Sequence, residues 1–243
     1  MKQILDDIVQ HTHLMGLFPA LKIHTNENNE TIIESMAEDK SVVLQAITNS
    51  PIPDFNYTFG MGNIEKLNTL LKCPEYKDDP IIKVIKSDKD DQKLPIAIEF
   101  NNKNNDFKNH YRLMNTEIIN EKLKSIRLKQ IYWEIDFEPS DTSMQKFKYQ
   151  VALNNQEKNF SVTTTAGNLI FNFGDQGSYY GSYIFEKNVS KKLRNKFSWP
   201  ISQTLSLFNL PGSKKIKFSN EGAMMITVTS NHAVYNYILP ARA

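Results

Sequence analysis

The order of predicted elements occurs twice along the chain, and this doubling restricts the fold more than any single motif does. Each half reads as helix, strands, short helix, strands, a recurrence of pattern rather than of letters. In the first half, Gln3 to Leu14 carries Ile4, Leu5, Ile8 and Val9 in the stripe of a half-buried helix, with Asp6, Gln10 and His13 opposite. Strands follow at Leu21 to Thr25, Thr31 to Met36 and Ser41 to Thr48, separated by an Asn-rich turn and by Glu38-Asp39-Lys40. Phe55, Tyr57 and Phe59 alternate like one face of a strand, and Gly60-Met61-Gly62 reads as a turn. Asn63 is placed to cap a helix carrying Ile64, Leu67 and Leu71, which Pro74 closes. Strands at Ile81 to Lys86, Leu94 to Phe100 and Tyr111 to Met114 complete the half, with Asp88, Asp90 and Asp91 in a solvated hairpin tip.

Thr116 to Gln130 is polar and basic with isolated apolar residues, and it lies near the midpoint. It reads as a connection, dividing the 243 residues into a first domain at 1–117, a linker at 118–130 and a second domain at 131–243. The second half offers strands at Ile131 to Phe137, Asn159 to Thr164, Leu169 to Phe173 and Tyr179 to Phe185. A helix over Ile201 to Asn209, with Ile201, Leu205 and Phe208 on one side, stops at Pro211-Gly212. Strands at Lys214 to Ser219, Met224 to Thr229 and Ala233 to Leu239 end the chain. The segment from Ser140 to Asn154 fits two periods, since Phe147, Tyr149, Val151 and Leu153 alternate while Met144, Phe147 and Val151 form a helical stripe. Cap-like Ser140-Asp141-Thr142, and the place of the segment in the doubled order, favour helix. The fold class is α+β, two similar domains each with two helices packed on antiparallel sheets.

Charge excludes a protein that binds by bulk positive potential, because 29 Lys and Arg stand against 27 Asp and Glu. Any nucleic-acid role must come from where the charges sit. The single cysteine, Cys73, rules out an intrachain disulfide and a Cys-rich zinc site, so a reducing cytoplasm is the expected setting. No apolar run approaches the ~20 residues of a membrane-spanning helix. Catalytic patterns are missing: there is no G-x-x-x-x-G-K-[ST], H-E-x-x-H or G-x-S-x-G, and Gly60-Met61-Gly62 lacks the third glycine of a dinucleotide site. His11 and His13 stand two apart, which on a helix separates them by about 200°, so they do not share a metal. A non-enzyme without cofactor or metal is expected.

Phe55-Asn56-Tyr57-Thr58-Phe59-Gly60-Met61-Gly62-Asn63, running on through Ile64 to Leu71-Lys72-Cys73, resembles the DNA sliding clamps of the proliferating cell nuclear antigen type. Met36-Ala37-Glu38-Asp39-Lys40-Ser41-Val42-Val43-Leu44-Gln45 resembles the preceding hairpin of that family, and Met224 to Pro240 its last strands and tail. The resemblance implies the clamp fold, with helices lining a duplex-sized hole and three two-domain subunits closing a homotrimeric ring. Its Asn- and Lys-rich character looks like that of a clamp from a large tailed bacteriophage, acting in the host cytoplasm. The implied function is to encircle double-stranded DNA without reading sequence and to tether the replicative DNA polymerase, after loading by a clamp-loader ATPase.

By the same resemblance His11, His13, Lys66, Lys72, Lys146 and Lys148 face DNA, while the fourth helix offers Gln203, Ser206 and Asn209 but no cation. A groove for partner peptides draws on Met36, Val43, Ile126, Leu128, Ala223, Tyr237, Leu239 and Pro240. Subunits meet edge strand to edge strand, Asn109 to Met114 against Tyr179 to Phe185, through Asn109, Tyr111, Leu113, Tyr179, Tyr180 and Tyr183. Ordinary sheet packing is the competing account of Val43, Tyr237 and the tyrosines. A β-rich structural protein of a virion or tail, without DNA encirclement, is the alternative function.

Overall fold

The computed structural model describes residues 1–13, 16–87, 93–123, 130–175, 177, 179–189 and 191–242. The expectations for Leu14, Asp88, Asp90, Asp91, Ile126 and Leu128 lie outside the described residues. The chain separates into two compact units, Met1–Ile126 with Ser230–Tyr235, and Arg127–Thr229 with Asn236–Ala243.

In the first unit, α1 (Lys2–Thr12) buries Leu5, Ile8, Val9 and Thr12, the face that its apolar spacing predicts. Strands β1 (Ala20–Thr25), β2 (Thr31–Met36), β3 (Val43–Thr48) and β4 (Phe59–Gly62) form antiparallel pairs in the order β4-β1-β2-β3. Asn26 makes the first turn: its Oδ1 accepts from the N–H groups of Asn28 and Glu30, and Asn29 takes a left-handed φ of 63°. Aromatic alternation misplaces the strand before α2. Pro53–Phe55 is a 3₁₀ turn, pairing can begin only at Phe59, and Gly60-Met61-Gly62 lies within β4 rather than in a turn. Phe55 and Phe59 are both buried, edge to face at 5.2 Å, so their spacing served a core contact and not a pleat.

Asn63 begins α2 (Ile64–Lys72), its Oδ1 accepting from the Lys66 N–H at 3.1 Å. Strands β5 (Ile81–Ser87), β6 (Leu94–Asn101) and β7 (Lys108–Arg112) make an antiparallel sheet in chain order. Beyond β7, Met114 exchanges both backbone hydrogen bonds with Gly60. The expected linker opens instead with a helix, α3 (Thr116–Lys122), capped by Asn115, whose Oδ1 accepts from Ile118 N–H at 2.9 Å. Ile119 and Leu123, one turn apart, are buried against Ala20, with Met36 and Met114 packed alongside.

The second unit runs β8 (Ile135–Phe137), α4 (Asp141–Leu153), β9 (Asn159–Thr165), β10 (Asn168–Phe173), β11 (Gly181–Glu186), β12 (Phe197–Pro200), α5 (Ile201–Phe208), β13 (Ser213–Ser219) and β14 (Ala223–Thr229). One sheet is ordered β11-β10-β9-β12, and another includes β14-β13-β8. The last strand, β15 (Ala233–Pro240), starts in the first unit and finishes in the second. The ambiguous segment is helical, Ser140 accepting from Ser143 N–H at 3.1 Å. Phe147 alone is fully buried on it, and the alternating Tyr149 and Leu153 are 60% and 77% exposed. Phe147 meets Phe160, Phe171, Phe173 and Phe208 at centroid distances of 5.1–6.1 Å, the centre of an aromatic core. On α5 the buried residues are Ile201, Thr204, Leu207 and Phe208, and Leu205 is half-buried, one position away from the predicted stripe. None of the described helices is long and apolar enough to cross a membrane.

Candidate nucleic-acid interface

In the first unit α1 and α2, and in the second α4 and α5, turn their outer faces toward solvent. On α1 these faces carry Gln3, Asp6 and Gln10, and on α2 Glu65, Lys66, Thr69 and Lys72. On α4 they carry Gln145, Lys146, Tyr149 and Ala152, and on α5 Ser202 with the half-buried Gln203 and Ser206. The four helices hold five lysines against four acids. The faces are polar and close to neutral, suited to glancing contact with phosphates rather than to a tight grip.

The two histidines differ in exposure. His11 is 1% exposed, stacked on Tyr235 at 4.4 Å with its Nδ1 2.8 Å from the Asp7 carbonyl, so it packs within its own unit and does not reach DNA. This corrects its assignment, which rested on a stripe that counts apolar residues and misses a polar one with a buried partner. His13 is half-buried with its Nε2 2.7 Å from a Glu65 carboxyl oxygen, so a carboxylate stands beside it where an anion would approach. Lys66, Lys72 and Lys146 are exposed, and Lys148 is half-buried. Phe147 points into the core between Lys146 and Lys148, which places the two lysines about 200° apart around α4, on its two shoulders. At the end of α5, the Lys214 amine donates to the carbonyls of Leu210 and Gly212. Burial pushes its pKa down, Asp141 opposing and Lys148 adding to the fall.

The positions expected for partner peptides divide by exposure. Tyr237 and Leu239 are fully buried and do not line an open groove, which agrees with the sheet-packing account and corrects the other; the alternation of β15 turns them inward. Ala223 is nearly buried, Pro240 exposed, and Met36 and Val43 half-buried, Met36 against the α3 cluster.

The expected subunit contacts divide in the same way. Tyr111 is buried, its hydroxyl donating to the Gly62 carbonyl and its pKa raised by burial, and Leu113 is buried too, so neither side chain is free to pack on another molecule. Asn109 donates to the Tyr76 hydroxyl at 2.8 Å. Tyr183 ties β11 to α4 by donating to Ser143 carbonyl at 3.1 Å, burial raising its pKa, and Tyr180 donates to Asn172 at 2.7 Å. Tyr179 is 80% exposed, and Ile184 of the edge strand β11 is exposed as well.

Among the described residues no group of three or more His, Cys, Asp or Glu side chains is placed to hold a metal ion. The sequence reading passed over one charged segment, between β11 and β12, where Lys187, Lys191, Lys192, Arg194 and Lys196 occur without an acid. A plain count of signs in a ten-residue window would have found it.

No family model and no curated protein sequence matches the chain. Among solved structures, PCNA of A. fulgidus, determined with the C-terminal region of FEN-1, is similar with a TM-score of 0.69 at 10% identity, over 100% of this chain and 96% of that one. PCNA of Thermococcus kodakaraensis gives 0.69 at 8% identity, over 100% and 97%. The chain therefore has the PCNA-type sliding-clamp fold, α+β with antiparallel sheets, along its whole length.

Proposed function

We propose that the protein is a sliding clamp, a non-enzymatic ring that encircles duplex DNA and tethers a replicative DNA polymerase. The observation that carries this reading is the likeness in fold to PCNA over 100% of this chain and 96–97% of the two archaeal chains, at a TM-score of 0.69. Two units per chain imply three chains for a six-unit ring, hence a homotrimer. A closed ring holds DNA topologically, so its inner surface needs only weak, sequence-independent phosphate contact, which near-neutral polar helices provide. Lys66, Lys72, Lys146 and Lys148 are the cations proposed for that contact, with His13 subordinate to Glu65. No observation favours the alternative of a virion or tail component.

Subunits would join through strand edges, β11 of one chain offering Ile184, with Tyr179 just ahead of the strand, to the Asn109–Met114 edge of the next. A clamp-loader ATPase would open the ring, and client proteins would dock a short peptide; the A. fulgidus protein has the C-terminal region of FEN-1 bound. Met36, Val43, Ala223 and Pro240 are positions to test for that docking. The decisive experiment loads the protein onto circular DNA with its loader and then linearises the circle. A topological tether slides off the ends, whereas equal retention on circular and linear DNA refutes the ring. A Tyr179→Glu, Ile184→Glu variant should sediment as a smaller species than the wild type.

A further inference from the structure

We propose that the segment joining β11 to β12 is a second phosphate-contact surface for duplex DNA, separate from the helix faces and electrostatically stronger than them. Its ten residues 187–196 carry Lys187, Lys191, Lys192, Arg194 and Lys196 and no acid, a local charge of +5 on a chain whose net charge is +2, with Glu186 at the end of β11 just before them. By contrast α1, α2, α4 and α5 together carry a single net positive charge. All five cations are exposed, and none forms an ion pair with a described residue.

The segment is a held surface. Leu193 is buried and acts as its anchor, its N–H donating to Thr164 Oγ1 at 3.0 Å. On either side of it, Arg194 N–H donates to Asn220 Oδ1 at 2.7 Å, and Val189 N–H to the Gly167 carbonyl at 2.9 Å. Between the segment and the β9–β10 turn lies an open cavity of ≈ 460 Å³ with Lys191 and Lys192 on one wall and Thr164 and Thr165 on the other. Thr165 also borders a cavity of ≈ 330 Å³ lined by Thr163, Asn172, Ser182 and Lys196 together with one carboxylate, Asp175. Ammonium and guanidinium groups beside hydroxyls are donors that phosphate oxygens take.

The same composition argues against a protein partner. Protein interfaces are depleted of lysine and built on aromatic or aliphatic anchors. Here the one large apolar side chain, Leu193, is already spent inside the unit. Exposed lysines beside a threonine-lined wall match a polyanion read by charge, and DNA is the polyanion that a clamp fold brings within reach. The inference therefore rests on the sliding-clamp reading for its ligand, though its test does not require ring closure.

The test measures Kd by fluorescence anisotropy for the full chain on a linear duplex of about 30 base pairs, between about 50 and 200 mM salt. Wild type is compared with K191Q/K192Q/R194Q/K196Q and with the helix variant K66Q/K72Q/K146Q/K148Q. Because each lost phosphate contact removes about 0.9 from the slope of log affinity against log salt, the loop variant should lose about 2 to 4 from that slope. Its affinity at the lower salt should fall about ten-fold or more, and the helix variant should change less. The Lys→Arg version of the loop should restore binding, and unchanged fluorescence of the two tryptophans and an unchanged melting temperature show an intact fold. A loop variant with wild-type Kd and slope overturns the inference, as does a wild type that does not bind the duplex at all. If the loop variant binds normally while the DNA-linearisation experiment still shows release, the clamp reading survives and the loop assignment alone falls.

Discussion

The imidazole of His11 lies flat on the ring of Tyr235, centroids 4.4 Å apart and planes 8° from parallel. Beneath the stack, Asp7 Oδ2 accepts from the Tyr235 hydroxyl at 2.7 Å and from Ser230 Oγ at 2.8 Å. A chain segment more than two hundred residues downstream is thus fastened to the first helix through one carboxylate. Hydrogen bonds to a charged group are worth about 1.5–3 kcal/mol, so Tyr235→Phe, which keeps the stack, should lower unfolding free energy by about 2 kcal/mol in a urea titration. A midpoint equal to wild type would mean that the carboxylate is satisfied without the tyrosine.

Phe147 holds the aromatic core of the second unit together from α4. Phe147→Ala should cost about 3–5 kcal/mol, the range for a buried aromatic removed to leave a cavity. Tyr149→Ala, two residues along the same helix on the solvent side, should change stability by about 0.5 kcal/mol or less. Comparable losses for the two would contradict the helical assignment, since a strand would bury both on one face.

Gly60 is required by a close approach of α3. A Cβ placed there would lie 2.8–2.9 Å from three side-chain atoms of Ile119, itself fully buried. Gly60→Ala should therefore destabilise by about 1–3 kcal/mol through overpacking. In an Ile119→Ala background the Cγ1 and Cδ1 contacts are gone and the Cβ contact stays, so the added cost should shrink without vanishing, a coupling that a double-mutant cycle reads directly. Additive losses would show that the clash is relieved elsewhere.

Acid stability should depend in part on Glu99. Lys108 Nζ at 2.5 Å, Asn101 Nδ2 at 2.8 Å and His110 Nε2 at 3.0 Å converge on its carboxylate and hold its pKa at about 2, below the ordinary 4.5. A depressed folded-state pKa adds stability that is present above pH 4.5 and is lost as pH falls toward about 2. Glu99→Gln should flatten the melting temperature against pH across that window and leave the neutral region with a constant offset. An unchanged acid limb would place the acid sensitivity on other carboxylates.

The parts of the fold legible in sequence are those whose signals are local. Asn63 and Pro74 bracket α2 because a cap and a breaker act within one turn, and the Asn-rich turn after β1 follows from Asn26 and Asn29 in the same way. Helix α3 was hidden because only Ile119 and Leu123 are buried on it, too few for a periodic stripe, although Asn115 supplied a readable cap. Strand β12 was missed because Phe197–Pro200 is four residues long and ends in a proline, so its pairing with β9 has no pattern of its own. The candidate site was less legible than the fold. Whether His11 faces DNA or Tyr235, and whether Tyr237 lines a groove or fills a core, depends on residues far away in sequence, and spacing carries no information about them.

The way β15 is apportioned bears on how the protein could be taken apart. A fragment ending at residue 126 would lack Ser230 and Tyr235, leaving Asp7 without either hydroxyl and His11 without its stacking ring, so the halves are poor candidates for separate expression. A circular permutant that carried residues 230–235 ahead of Lys2 on a short tether would restore the set and make the amino-terminal half a self-sufficient module.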